Sequence, residues 1–324
     1  MLRVFVTKGE CLSETAAEGG EVPPEALWVD ILDPRPDDLQ PFESAFGFLA
    51  PTREEMQEIE ASSRLYHENG AMFMTATLVS GSDTGNPESH AVTFILAAGR
   101  LVTLRYSSPR PFQTFPQRAM RQPGSWGSGE TIMAGLLEAV IDRTADILEA
   151  VSAHVDDVSR DVFGARKGDA PLDAGDFQTV LVRLGRENDL AGRLRESLVS
   201  INRVLTFLAQ AADGKLSKDI RGHVKTMTRD ISSLTDHTAY LANKIQFLLD
   251  ATLGLISIEQ NKVIKILAIV GTVLGPPTLF ASMWGMNFHN MPELAWPGGY
   301  AFALGVIAIS GLVPFFYFKF RKWL

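Results

Sequence analysis

ILAIVGTVLGPPTLFASMWGMNFHNM, Ile266 to Met291, is the stretch on which the reading of this chain turns. No formally charged residue lies between Lys265 and Glu293, and none lies between Glu293 and Lys319. Each stretch exceeds the roughly 20 residues that cross a hydrocarbon core of about 30 Å. The pattern predicts membrane spans at about 264–284 and 297–318, because buried core helices seldom run so far without a charge. Lys262 and Lys265 precede the first span, and Lys319, Arg321 and Lys322 follow the second. That asymmetry predicts both chain ends on the cytoplasmic side. Gly285-Met286-Asn287 then falls on a short outer turn, with Trp284, Trp296 and Tyr300 at interfacial depth.

Outside these spans the 324 residues leave room for at least one further compact unit. Cys11 is the only cysteine, so an intrachain disulfide is excluded and a reducing compartment is expected for the bulk of the chain. The opening residues lack the basic start and apolar run of a secretory signal. From Asp250 onward five basic side chains face three acidic ones, a surplus of +2. The net charge of −8 therefore leaves −10 on residues 1–249, which argues against a nucleic-acid partner and suits a cation-attracting surface.

The remainder reads as mixed α/β followed by long helices. RVFVT, LWVDIL, MFMTATLV, AVTFILAA and RLVTLRY are short β-branched and aromatic runs, and PTREEMQEIEASS has the Pro-then-acidic start of a helix. The passage from HAVTFIL through AGRLVTLRY predicts a hairpin. SSPRPFQTFPQRAMRQPGSWGSG, rich in Pro, Gly and Ser, reads as a separator. Three long helices are expected between Glu130 and Trp284, broken at FGARKGDAPLDAGD and AADGKLSKD, the last running from about Lys218 into the membrane. The expected domains are 1–125 (α/β), 126–262 (helical bundle and stalk helix) and 263–324 (two-helix membrane domain).

Along that last helix, intervals of four and three connect Ser282, Thr278, Gly275, Gly271, Ala268, Ile264, Asn261, Ser257, Gly254 and Asp250, nearly all small or polar. Leu253, Ile256, Val263, Ile266 and Leu279 are among the apolar residues between them. A polar stripe on an otherwise apolar helix suits the wall of a water-filled path. The competing reading is close helix packing, since Gly271 and Gly275 form a Gly-x-x-x-Gly pair. Pro276 and Pro277 remove backbone hydrogen bonds in this span and predict a kink, with freed carbonyls available to the path.

Gly285-Met286-Asn287, Phe288 and Met291-Pro292-Glu293-Leu294 resemble the signature and outer loop of the CorA metal-ion transporters. WVDILDP, EIEASSRLY, VTFILAAGRLVTLRY, LLDATLGLISIEQNKVIKI, PPTLFASMWGMNF, WPGGYAFAL and FKFRKWL resemble segments of that family in the same order. The resemblance implies a homopentamer in the cytoplasmic (inner) membrane of a bacterium, with an α/β cytoplasmic funnel, a long stalk helix and two C-terminal transmembrane helices. It implies that the first span lines the pore and that divalent cations pass, chiefly Mg²⁺, with Co²⁺ and Ni²⁺ carried by many members. On that reading Gly285, Met286 and Asn287 form the selectivity turn, and Asp250, Gly254, Ser257, Asn261, Ile264, Leu267, Gly271, Gly275, Thr278 and Ser282 line the path. Asn287, Thr278, Asn261 and Asp250 are the expected metal contacts. Asp250 alternatively pairs with a neighbour such as Lys244. Ile264 and Leu267 interrupt the polarity and suit an apolar constriction.

In that family cytoplasmic Mg²⁺ bound between subunits holds the pore closed, but Asp219, Asp230 and Asp236 sit in no motif specific enough to carry the role over. The run Glu138, Asp142, Asp146 and Glu149 is either a second candidate or a solvated face. Trp284 stands where the family usually has tyrosine, and Pro277 where leucine is common. His289 near the turn raises the question of softer metals. A Zn²⁺ transporter similar to ZntB is the runner-up, and a membrane-anchored structural or sensor protein the rival from another class. No phosphate-binding loop occurs, Gly214-Lys215 being followed by Leu216, so no organic cofactor and no enzyme activity are expected and the membrane potential is the simplest driving force.

Overall fold

A computed structural model describes residues 1–16, 22–35, 39–40, 43–44, 46–58, 60–124, 126–164, 174–211, 217–287, 291–321 and 323. Phe288, His289, Asn290 and Lys322 lie outside the described residues. The chain divides into two units, Met1–Leu172 with Gln178–Leu248, and Asp173–Phe177 with Leu249–Leu324.

The first unit is built on β1 (Leu2–Lys8), β2 (Cys11–Thr15), β3 (Trp28–Leu32), β4 (Leu65–Glu68), β5 (Ala71–Ser80), β6 (Glu88–Ala97) and β7 (Arg100–Arg105). Among the described residues these form one seven-stranded sheet in the order β2-β1-β3-β7-β6-β5-β4. Every pairing is antiparallel except β3 with β7, where Asp30 lies beside Thr103. The expected hairpin forms: Ala97 pairs with Arg100, and Ala98 (φ 49°) and Gly99 (φ 76°) make the two-residue turn with both residues left-handed. Asn69 (φ 49°) and Gly70 (φ 79°) make the same turn between β4 and β5.

The helix start read in PTREEMQEIEASS is present and opens α1 (Arg53–Gln57), which α2 (Ala61–Arg64) follows. Thr52 caps α1, its hydroxyl accepting from Glu55 N at 3.2 Å while the Glu55 carboxylate accepts from Thr52 N at 2.8 Å. The expected separator contains α3 (Pro111–Arg121), which buries Phe112, Phe115, Pro116 and Ala119. Phe115 meets the Trp28 ring edge-on at 5.9 Å, so burial of that aromatic face outweighs the cost of Pro116 inside the helix. Strands β2 and β4 also form where none was predicted.

The long helices are α4 (Gly129–Val162), α5 (Ala174–Ala211) and α6 (Lys218–Trp284). α4 starts against the sheet: Gly129 N donates to Gly99 O at 2.7 Å, and a Cβ on Gly129 would fall 2.4 Å from the Arg100 backbone. α6 runs as one helix of 67 residues, as the sequence predicts. In the second unit the 3₁₀ turn Pro292–Ala295 leads to α7 (Gly299–Phe320).

The sheet encloses a buried polar network. Arg105 donates through Nε to Asp30 Oδ1 at 2.9 Å and through Nη2 to Asp30 Oδ2 at 2.7 Å. Thr103 donates to Asp30 Oδ1 at 2.9 Å and accepts from Trp28 Nε1 at 3.0 Å. Arg105 also lies over the Phe112 ring at 4.7 Å. A two-pronged pair of this kind fixes the parallel register, because a shift of one residue would leave both charges buried and unmatched.

Candidate functional site

The candidate site comprises the C-terminal half of α6, the turn that follows it and α7. Both helices are long and apolar enough to cross a membrane. The side of α6 toward α7 is apolar: Ile269 is buried, and Val273, Pro276, Pro277, Phe280 and Trp284 are half-buried. Gly311 of α7 allows the close approach, since a Cβ there would sit 3.1 Å from Pro277 Cγ and 3.4 Å from Val273 O. Aromatic contacts close the end near the turn, Trp284 meeting Phe302 at 6.4 Å and Trp296 meeting Phe302 at 5.8 Å. At the other end Lys265 lies over the Trp323 ring at 5.7 Å.

The predicted stripe lies elsewhere on the helix. Asp250, Gly254, Ser257, Asn261, Ile264, Leu267, Gly271, Gly275, Thr278 and Ser282 are all exposed, Leu267 at 72%. At about 100° per residue this stripe and the side toward α7 centre roughly 180° apart. The chain's own second span therefore does not cover the small and polar positions. Gly271 and Gly275 floor a shallow groove of about 540 Å³ whose sides include Thr278 and Ser282.

Two polar side chains on the stripe fold back on their own helix. Asn261 donates through Nδ2 to Ser257 O at 2.9 Å, and Thr278 donates to Leu274 O at 2.7 Å. Thr278 thereby spends its one donor on the backbone and Asn261 one of its two, and each leaves an oxygen to accept. The remaining lone pairs suit a cation or its waters.

The prolines do not interrupt α6. Pro277 removes the helical donor to Val273 O, and that carbonyl faces Gly311 of α7. At the C-terminal end of α6 Gly285 N still donates to Ala281 O at 3.0 Å and Met286 N to Met283 O at 3.3 Å, so the helix unwinds through a tight turn. A Cβ on Gly285 would press to 3.3 Å from Ala281 O. Met286 and Asn287 beyond it are exposed. The part of the signature that falls on Phe288, His289 and Asn290 lies outside the described residues.

In the first unit Lys244 makes an ion pair with Asp156. The acidic run on α4 meets Asp230 of α6: burial first, then Glu138, Asp146 and Asp230, raises the pKa of Asp142, with Arg118 opposing. Among the described residues no three His, Cys, Asp or Glu side chains converge closely enough to hold a metal ion.

Comparison with known proteins follows the same lines. Residues 25–321 match the model of the family described as CorA-like Mg²⁺ transporter protein. The magnesium transport protein CorA of Yersinia pseudotuberculosis is 32% identical over 324 residues, the full length of both chains. The solved CorA magnesium transporter of Methanocaldococcus jannaschii superposes with a TM-score of 0.77 at 14% identity, covering 100% of this chain and 99% of that one. The cytoplasmic domain of ZntB from Vibrio parahaemolyticus superposes with a TM-score of 0.59 at 10% identity over 79% of this chain and 97% of that one, a likeness of fold alone.

Proposed function

The chain belongs to the CorA-like Mg²⁺ transporter family, and from that premise we propose that it carries divalent cations, Mg²⁺ chiefly, across a bilayer into the cytoplasm through a path lined by α6 in an assembly of five copies. The observation that carries this reading is the opposition of faces on α6. The apolar side packs on α7, while the small and polar side is left open to whatever lies at the centre of an assembly.

Mg²⁺ gives up its water shell reluctantly, so a neutral ring of Asn287 side chains can select the ion by accepting hydrogen bonds from its waters. A ring of carboxylates at the entrance would hold the ion longer and slow its release. Farther in, the Thr278 hydroxyl and the Asn261 amide oxygen offer acceptors of the same kind. Ile264 and Leu267 place exposed apolar side chains on the stripe, where dewetting could close the path. Asp250 would form an inner acidic ring that draws the cation onward. An inside-negative potential supplies about 4.6 kcal/mol per 100 mV to a divalent ion at roughly 2.3 kcal/mol per charge, enough for uptake without a nucleotide.

The test is flux into liposomes holding the purified chain, with Mg²⁺, Co²⁺, Ni²⁺ and Zn²⁺ compared under an inside-negative potential. Mg²⁺ flux that falls at least tenfold in Asn287→Ala while the assembly stays intact is expected. Zn²⁺ flux that follows a proton gradient instead would refute the cation assignment. Gly275→Leu separates a path from a packing surface: a path loses flux and keeps its oligomer, whereas a packing surface loses the oligomer.

A further inference from the structure

A second polar concavity lies in the first unit, remote in sequence from the stripe, where α1, α2, β5, β6 and α5 meet. It holds about 190 Å³ and is lined by Arg53, Arg64, Thr77, Ser89, Tyr106 and Glu196 among others. That is about six times the roughly 30 Å³ a water occupies in the liquid, room for a tetrahedral oxyanion.

The donors around it outnumber their partners. Arg64 is partly buried, and among the described residues its hydrogen bonds go to two neutral acceptors, Thr77 Oγ1 at 3.0 Å and the Glu58 carbonyl. Burial lowers its pKa, while Glu196 raises it and Arg203 lowers it from a distance. Arg53 lies over the Tyr106 ring at 5.1 Å and makes no ion pair or hydrogen bond among the described residues. Among the described residues the buried Ser89 hydroxyl has no hydrogen-bond partner. The Tyr106 hydroxyl, whose pKa burial raises above its ordinary 10.0, is a donor at neutral pH. Arg53 and Arg64 against the single carboxylate of Glu196 leave one positive charge on the lining, and with Arg64 hydrogen-bonded, among the described residues, only to neutral acceptors that surplus suits an anion.

We propose that this pocket binds hydrogen phosphate, free or as the terminal group of a phosphorylated small molecule. The arginines grip the charged oxygens, and Tyr106 donates to the rest. Glu196 would repel a fully ionised oxyanion but accepts the P–OH proton of hydrogen phosphate, a donor that sulfate lacks at neutral pH.

Isothermal titration of the full chain in detergent, with inorganic phosphate, sulfate and ATP as separate ligands, tests this. The expected result is saturable phosphate binding, tighter than sulfate, and weakened about tenfold or more in Arg53→Ala and in Arg64→Gln, the loss typical of one hydrogen bond to a charged group. Glu196→Gln should remove the preference for phosphate over sulfate. Arg53 is exposed, so its variant keeps the test valid should Arg64→Gln fail to fold. Binding of ATP without inorganic phosphate, lost in the same variants, would assign the site to a phosphorylated molecule. Absence of binding by either ligand, binding unchanged in Arg53→Ala, or sulfate binding as tightly as phosphate would overturn the proposal.

Discussion

Replacing Asp30 with Asn should be among the most damaging single changes in the first unit. Asp30 is fully buried and Arg105 is 2% exposed, and the pair shares two charge-assisted hydrogen bonds of 2.9 and 2.7 Å. Asn keeps the shape but removes the negative charge and turns one acceptor into donors facing Arg105 and Thr103. Leaving a guanidinium unmatched at this depth costs about 3–5 kcal/mol. For a unit of this size each kcal/mol lowers the melting temperature by roughly 2–4 °C, so a fall of about 6–20 °C is expected. Differential scanning calorimetry of the detergent-solubilised chain would read it. The double variant Asp30→Leu/Arg105→Met should recover half or more of the loss, because an apolar pair needs no compensating charge. The reasoning is refuted if Asp30→Asn melts within 2 °C of the parent, or if the double variant melts below the single one.

Gly311→Leu should destabilise the α6–α7 pair by roughly 1–3 kcal/mol, since even a Cβ meets Pro277 Cγ at 3.1 Å; heating in detergent followed by size-exclusion chromatography would show earlier loss of the intact species, and Gly311→Ala should fall between. The Asp142 carboxyl is a weaker acid in the folded chain than its ordinary 3.8, through burial and then Glu138, Asp146 and Asp230. Its contribution is thus fully present below pH 3.8 and is lost as pH rises through the folded value, so Asp142→Asn should raise the melting temperature at pH 7 in chelator and give no gain near pH 3. Glu14 shows the opposite sign: hydrogen bonds from Arg3 at 2.9 Å hold its carboxyl below the ordinary 4.5. That contribution is present above pH 4.5 and is lost as pH falls through the folded value, so Glu14→Gln should flatten the acid limb of a stability profile, and an unchanged limb would count against the pair.

The parts of this fold that repeat along a single helix were legible in the sequence. The spans, the course of α6 from Lys218 and the stripe from Ser282 to Asp250 follow from charge spacing and a period of 3.6, which one chain carries by itself. Parts that depend on partners distant in sequence were not. Asp30 sits in a strand-like run and gives no sign that parallel pairing brings it to Thr103 and Arg105. The resemblance of WVDILDP to its family named the segment without its chemistry. Two misses had signals that outweighed what was read. Asn69-Gly70 is a strong hairpin signal and announces β4, while Phe112, Phe115 and Ala119 keep helical spacing through a stretch that its prolines made look like a linker. For the candidate site, sequence gave the stripe and the turn, and the structure added that the stripe faces away from α7 and that Asn261 and Thr278 present acceptors.

The central claim is that the small and polar side of α6 borders water, and the single native cysteine makes it directly measurable. In a Cys11→Ser background, single cysteines at Gly271, Gly275, Thr278 and Ser282 would be compared with cysteines at Ile269, Val273 and Phe280, using a charged, membrane-impermeant thiol reagent during Mg²⁺ flux. The account predicts rapid labelling and block of flux at the first four positions and little of either at the last three. Equal labelling on both sides, or labelling confined to Ile269, Val273 and Phe280, would contradict it.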